Sequence, residues 1–157
     1  PDVMTMGKAL GGGMPIGCVG ASSRLLSQFT HNPELGHIST FAGHPLVAAA
    51  SLAAIEVIQK ENLLEQINSK ALRIREFLDT LSAVKEVRNK GLMFGITLES
   101  DSLVTELVDA ARRQQLLLFY FLSCRNSFRI APPLNISEEE LEEGLSRLSK
   151  AFTDVFD

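Results

Sequence analysis

The sequence predicts an α/β chain whose larger part, residues 63–157, is an α+β lobe with a small sheet and helices on one of its faces. Three observations predict this class: a helical stripe of apolar residues begins near position 63, short strand-like runs follow it, and a capped helix closes the chain. Residues 1–44 hold strand and loop fragments with few internal partners, which is typical of the end of another domain. We expect residues 45–62 to form an interdomain helix.

The first segment contains two predicted strands, at residues 3–6 and 16–20, and Gly7 ends the first of them. Residues 11–17 are rich in glycine and indicate a loop. Residues 31–43 carry Pro, Gly, Ser and Thr without periodicity, which predicts an ordered loop.

Two helices are predicted next. Pro45 stands where helices favour proline, in the first turn, and the Ala-, Leu-, Ile- and Val-rich residues 45–60 after it predict a largely buried helix. A second helix begins near residue 63. Its apolar residues step by three and four along one stripe: Leu64, Ile67, Ala71, Ile74, Leu78 and Leu81.

The remaining elements alternate between strands and helices. Strand-like runs occupy residues 84–88, 92–98, 116–122 and 127–131. A helix between the second and third runs is marked by Leu103, Leu107, Ala110 and Ala111. Ser137 and Glu140 have capping-box spacing and begin a terminal helix. Its apolar face consists of Leu141, Leu145, Leu148 and Phe152.

Composition narrows the classes of function. The chain of 157 residues is 45% hydrophobic with a net charge of −4, so it is globular and has no basic face that would indicate a nucleic-acid partner. No apolar run approaches the roughly 20 residues of a membrane span. Cys18 and Cys124 lack the spacing of a metal site, and we interpret them as small buried hydrophobes of a reducing compartment.

Lys8 is the first candidate for chemistry. In the stretch TMGKALGGGMPIG it lies three residues ahead of three consecutive glycines, which permit positive φ and close backbone approach around the amine. Lys8 precedes the glycines and Ile16 stands where a dinucleotide motif needs Gly, so neither common phosphate loop fits. A solvated surface lysine is the ordinary alternative.

HISTFAGHPL, residues 37–46, is the second candidate. Ser39 and Thr40 supply hydroxyls before the helix that Pro45 opens, and a helix N-terminus with nearby hydroxyls can hold a phosphate. Both lie too far from Pro45 for simple capping. We interpret His37 and His44 as structural.

SFRIAPPLNIS, residues 127–137, is the third candidate. Arg129 stands in a short strand that Pro132 ends, and its planar fork could bind a carboxylate through two parallel hydrogen bonds. An arginine pointing into solvent from an edge strand is the alternative. Residues 119–122, Phe-Tyr-Phe-Leu, could line a pocket or belong to the core.

Together the stretches PDVMTMGKALGGGMPIG, HISTFAGHPL and FRIAPPLNISEEEL resemble successive landmarks of the class III pyridoxal-phosphate-dependent aminotransferases, which include ornithine, acetylornithine and 4-aminobutyrate aminotransferases. Smaller similarities lie between them, at residues 61–63 and 90–93. The resemblance covers the chain in the right order. It implies the C-terminal part of such a fold, in which residues 1–44 end the large cofactor-binding domain and residues 63–157 form the small domain.

The resemblance also implies residue roles. Lys8 matches the lysine that forms the Schiff base with pyridoxal phosphate and transfers a proton, and the glycines would let the loop pass close to this cofactor. Thr40, with Ser39 beside it, matches the threonine that binds the cofactor phosphate across a homodimer interface. Arg129 matches the arginine that binds a substrate carboxylate. The implied reaction moves an amino group from an amino acid or ω-amine to a 2-oxo acid such as 2-oxoglutarate, in the cytoplasm.

Other functions remain open at this point. Glutamate-1-semialdehyde aminomutase and a decarboxylase use the same scaffold, and GKALGGGMPIG also resembles the lysine segment of the aminomutase. A non-catalytic α+β interaction domain with a solvated Lys8 is an alternative of another class. The family's upstream residues that pair with the pyridine nitrogen and stack on the ring have no counterpart here, so we expect the chain by itself to be inactive.

Overall fold

The computed structural model describes residues 1–32, 34, 36 and 38–156. It divides the chain into two units, Pro1–Asn62 and Leu63–Asp157. None of the described helices is both long and apolar enough to cross a membrane.

An antiparallel hairpin opens the first unit. Strand β1, Val3–Gly7, pairs with β2, Gly17–Ala21, in a register that sets Val3 opposite Ala21. Both predicted strands are therefore confirmed, the second shifted by one residue. A single 3-10 turn, Lys8–Gly11, follows β1 directly.

Two α-helices and a short 3-10 helix, Ser27–Phe29, complete the first unit. The short helix α1, Ser23–Leu26, follows β2, and helix α2, Pro45–Lys60, has Pro45 in its first turn as predicted. The prediction that α2 is largely buried is wrong, because Ser51 is its one buried residue. In this unit α2 packs on the turn after β1, which covers one side of the helix. Several apolar side chains of α2 are exposed: Leu46, Leu52, Ile55 and Val57.

The second unit is an antiparallel sheet with three helices. Its elements in chain order are α3 (Leu63–Asp79), β3 (Glu86–Lys90), β4 (Met93–Thr97), α4 (Asp101–Arg113), β5 (Phe119–Tyr120), β6 (Ser127–Ile130) and α5 (Glu138–Phe156). The strand order is β3-β4-β6-β5. Phe94, Ile96 and Phe128 alternate along the strands and are fully buried in one core with apolar residues of all three helices. The predicted α+β lobe is confirmed.

The prediction of a strand over residues 116–122 is wrong in length, because β5 comprises only Phe119 and Tyr120. Phe119 pairs with Arg129 and Tyr120 with Phe128 on β6. Beyond β6 the chain continues into Pro132 and Pro133, which have no N–H to extend the ladder.

Two predictions about side-chain burial also need correction, one of them in both units. Leu64 was expected on the apolar stripe of α3, but it is 64% exposed because the buried side of the helix begins at Leu63 instead. Cys18 and Cys124 are half-buried and free rather than buried. Cys124 Sγ lies 3.2 Å from the hydroxyl of Ser127, at the polar turn before β6.

The capping box before α5 is confirmed. The Ser137 N–H donates to the Glu140 carboxylate at 2.9 Å, and the Glu140 N–H donates to the Ser137 hydroxyl at 3.1 Å. The hydrogen bonds from the Ser137 backbone and side chain lower the pKa of Glu140, since they favour its ionised form.

Candidate active site

Lys8 occupies an unusual backbone position. It is the first residue after β1 and has a φ of +52°, a left-handed conformation that residues with a side chain seldom adopt. Its side chain is exposed, and its amine makes no hydrogen bond or ion pair with any residue that the structure describes. Strain of this kind collects at functional sites, so the backbone supports a special role for Lys8.

The glycines after Lys8 have a packing role that the sequence did not reveal. Gly12 has a φ of +56°, and a Cβ there would lie 2.6 Å from the Ala50 carbonyl oxygen on α2. At Gly11 a Cβ would lie 3.1 Å from the side chain of Ile16. Gly12 therefore lets the loop approach helix α2 closely, which fixes the loop immediately after Lys8.

Ser39 and Thr40 lie in the turn that leads into α2. The Ala42 N–H donates to the Ser39 carbonyl at 3.1 Å. The hydroxyls of Ser39 and Thr40 are exposed and have no partner among the described residues, and His44, the N-cap residue of α2, provides no side-chain cap. The first N–H groups of the helix and two free hydroxyls are thus available to an anion.

The prediction that His37 and His44 are structural can be compared with the structure for His44 alone. The ring of His44 lies 6.5 Å from that of Phe41, a local contact at the start of α2. His37 lies outside the described residues, so its structural interpretation stays a prediction.

Arg129 lies in the middle of the second unit's sheet. On β6 it pairs with Gly95 of β4 on one side and with Phe119 of β5 on the other. Its guanidinium carbon is 5.5 Å from the centre of the Phe119 ring, a cation–π contact that orients the fork. In the described part of the chain no carboxylate lies within 4 Å of the guanidinium, which leaves its donors available to a ligand.

The predicted site residues fall into both units: Lys8, Ser39 and Thr40 in the first, and Arg129 in the second. Two residues shape the surroundings of Arg129: Phe119, which the sequence analysis placed in a run that could line a pocket or belong to the core, and Gly95, which it missed. The alternation of Phe119 and Phe121 with period two was a signal that both rings share one sheet face. Only the register of β5 against β6 shows which ring meets Arg129.

Comparison with known proteins gives consistent results. The family model for class III aminotransferases matches residues 1–152. An acetylornithine aminotransferase from Caldanaerobacter subterraneus is 36% identical over 99% of this chain, and a leucine/methionine racemase from Thermococcus litoralis is also 36% identical over 99% of it. The chain spans 39% and 37% of the length of these two relatives, respectively.

A solved structure of an aminotransferase has the same fold as this chain. The ornithine aminotransferase from Toxoplasma gondii, described with pyridoxal phosphate at partial occupancy in its active site, superimposes with a TM-score of 0.87 at 27% identity. That match covers 99% of this chain and 37% of the other. The fold, the order of the three motifs and the match of the family model over nearly every residue lead to one conclusion: this chain belongs to the class III aminotransferase family.

Proposed function

We propose that this chain serves a pyridoxal-phosphate-dependent transaminase, which moves an amino group from an amino acid or ω-amine to a 2-oxo acid such as 2-oxoglutarate. The observation that carries the proposal is the amine of Lys8, which has no partner among the described residues and stands at a left-handed backbone position at the end of β1 in a chain of this family. Residues 1–44 would then end the large domain, residues 45–62 would link the domains, and residues 63–157 would be the small domain.

The donor set suits pyridoxal phosphate. The free amine of Lys8 is the group that an aldehyde needs, and the hydroxyls of Ser39 and Thr40 near the N-terminal N–H groups of α2 suit a phosphate. Lys8 would hold the cofactor through its amine, and Thr40 with Ser39 would hold the phosphate of a site in a second copy of the chain. When bound, pyridoxal phosphate supplies an electron sink for the bonds at the substrate α-carbon.

Lys8 is the base of the proposed reaction. Its Nζ, when uncharged, accepts a proton from the α-carbon of the amino donor and then acts as the acid that returns a proton. Gly12 fixes the loop after Lys8 against α2, which limits the positions that the amine can reach.

Arg129 binds the substrate in this proposal. Its guanidinium donates two parallel hydrogen bonds to the α-carboxylate, and the Phe119 ring beside it restricts the directions that the fork can take. Amino donor and 2-oxo acceptor both carry an α-carboxylate when the donor is an amino acid, so one arginine serves both halves of the reaction.

Racemisation of an amino acid is the second candidate, and the similarity to the Thermococcus litoralis racemase favours it. It would use the same removal of the α-proton by Lys8 but return a proton to the same carbon from the other side. Neither Arg129 nor Lys8 separates the two reactions, because both reactions need a bound carboxylate and a base.

The need for an amino acceptor separates them. The intact gene product, loaded with pyridoxal phosphate, is incubated with candidate L-amino acids in the presence and absence of 2-oxoglutarate, and the products are resolved by chiral chromatography. A transaminase gives glutamate only when 2-oxoglutarate is present and forms no D-amino acid. Formation of the D-amino acid without any acceptor would refute the transaminase assignment and support the racemase.

A further inference from the structure

An apolar cavity of about 150 Å³ lies inside the second unit. Its walls include Ile74 of α3, Ile130 of β6, Leu145 of α5 and residues 116–118, which precede β5. Every lining residue is Ile, Leu, Ala, Pro or Gly, so no lining side chain in the described part of the chain offers a hydrogen bond. Leu117 lines the cavity and is 78% exposed, so the cavity reaches the surface beside this residue.

The composition of these walls favours an apolar occupant over water. A buried water molecule needs about two to four polar partners, whereas an apolar cavity of about this size stays dry and accepts benzene or xenon. A cavity left empty also deprives the residues around it of packing contacts, which destabilises the fold. The space therefore suits a ligand without polar groups.

Gly144 of α5 contributes part of this space. It lies three residues after Leu141 and four before Leu148, so a side chain at this position would share the helix face of these two buried leucines. A Cβ at Gly144 would meet no described atom within 4 Å, and the φ of Gly144 lies outside the left-handed region. Neither backbone conformation nor close packing requires a glycine here, although glycine lowers helix propensity. What its missing side chain provides is open space beside the cavity.

We infer that this cavity binds a small apolar molecule about the size of benzene, a hydrocarbon ring or a short aliphatic chain. The site uses none of the residues assigned to the proposed reaction, so it adds a binding activity to transamination. A ring of the same size that carries a hydroxyl, such as phenol, binds less tightly, because the cavity's side chains offer that hydroxyl no partner.

The test measures binding without catalysis. The intact gene product, with ¹³C-labelled leucine and isoleucine methyl groups, is titrated with benzene and, separately, with phenol, and the methyl resonances are followed by NMR. Benzene is expected to shift the resonances of Ile130 and Leu145 in a saturable way and to leave that of Leu122, which is 91% exposed outside the cavity, unchanged. Its affinity is expected to be at least about fivefold higher than that of phenol.

A pair of leucine substitutions on α5 locates the bound benzene. Gly144→Leu is expected to weaken benzene binding at least about tenfold, because the new side chain occupies the cavity. Ser149→Leu is the matched control, since it adds the same side chain at an exposed position of the same helix, and it is expected to change benzene affinity less than about twofold.

Three results would overturn the inference: equal affinities for benzene and phenol, equal losses in the two leucine variants, or no saturable shift at Ile130 and Leu145. The last would arise if a side chain from elsewhere in the intact gene product filled the cavity. If Gly144→Leu loses its dispersed methyl spectrum, Gly144→Met decides, because a flexible methionine fills irregular gaps, and unchanged benzene affinity there would also overturn the inference. The transaminase proposal stands or falls separately, since its test measures turnover.

Discussion

Replacing Arg129 with lysine keeps a positive charge in the centre of the sheet and removes the planar fork. A lysine amine donates to a carboxylate from a single atom, so one of two parallel charge-assisted hydrogen bonds is lost. Hydrogen bonds to charged groups contribute about 1.5–3 kcal/mol each, and every 1.4 kcal/mol is about a factor of ten. The KM for an amino acid donor and for the keto-acid acceptor is therefore expected to rise between about 10-fold and 100-fold.

The assay is steady-state transamination by the intact gene product, with donor and acceptor varied in turn. Arg129 contacts the Phe119 ring and no group that we assign to the cofactor, so the absorbance of bound pyridoxal phosphate should stay the same in the variant. Phe119→Leu is the companion variant. This variant keeps the Arg129 guanidinium and removes the aromatic ring that orients it. A cation–π contact contributes about 0.5–1 kcal/mol, so KM is expected to rise about 2- to 5-fold.

Two results would refute this reasoning. KM values unchanged by Arg129→Lys would show that the arginine does not bind the carboxylate. Loss of cofactor absorbance in the same variant would show that Arg129 supports the fold of the cofactor site instead of the substrate.

Three further predictions concern stability and the loop after Lys8. Gly12→Ala should destabilise the packing of α2 by at least about 2 kcal/mol, measured as faster amide exchange in residues 45–60, because the methyl meets the Ala50 carbonyl at a left-handed position. In Gly13→Ala the methyl meets no atom of the described residues within 4 Å, so equal or faster exchange than in Gly12→Ala would contradict the packing role. Gly144→Ala should raise the free energy of unfolding by about 1 kcal/mol, measured by chemical denaturation, because alanine has the higher helix propensity in α5. The added methyl lies beside an apolar cavity of about 150 Å³ and clashes with no described atom. A lower free energy of unfolding in this variant would contradict the prediction. Glu140→Gln should lower Tm at pH 7, because the lowered pKa of Glu140 stabilises the fold at pH values above the ordinary value of 4.5. This stabilisation is lost in the unsubstituted protein as the pH falls below 4.5, so the Tm of the variant should decrease less over that range. A Tm that depends on pH in the same way in both proteins would contradict this prediction.

Local signals predicted most of the elements of this fold. Ser137 and Glu140 fix the start of α5 through contacts three residues apart, and Pro45 fixes the start of α2 through its own ring. Such information is contained within a few residues of sequence. The buried face of α5 followed from its period as well, with Leu141, Leu145 and Leu148 all in the core.

Features that depend on neighbouring elements were not predictable in the same way. The length of β5 depends on how many partners β6 offers before Pro132, and the exposure of α2 depends on what covers it rather than on its apolar composition. Pairing of Arg129 with Phe119 and Gly95 needs the strand register, which one sequence does not define. The left-handed backbone at Lys8 was not predictable either, because neither the residue type lysine nor the glycines after it require a positive φ at position 8.

The central claim is that Lys8 is the residue that carries pyridoxal phosphate. The direct measurement incubates the intact gene product with the cofactor, reduces it with borohydride, and locates the added pyridoxyl mass by peptide mass spectrometry. Lys60 is an internal control, since it is an exposed lysine of the same unit whose amine is paired with Glu56 at 2.9 Å. We predict stoichiometric labelling of Lys8 that disappears in Lys8→Ala, with Lys60 unlabelled. Labelling spread over Lys60 and other exposed lysines, or its persistence in Lys8→Ala, would contradict the account.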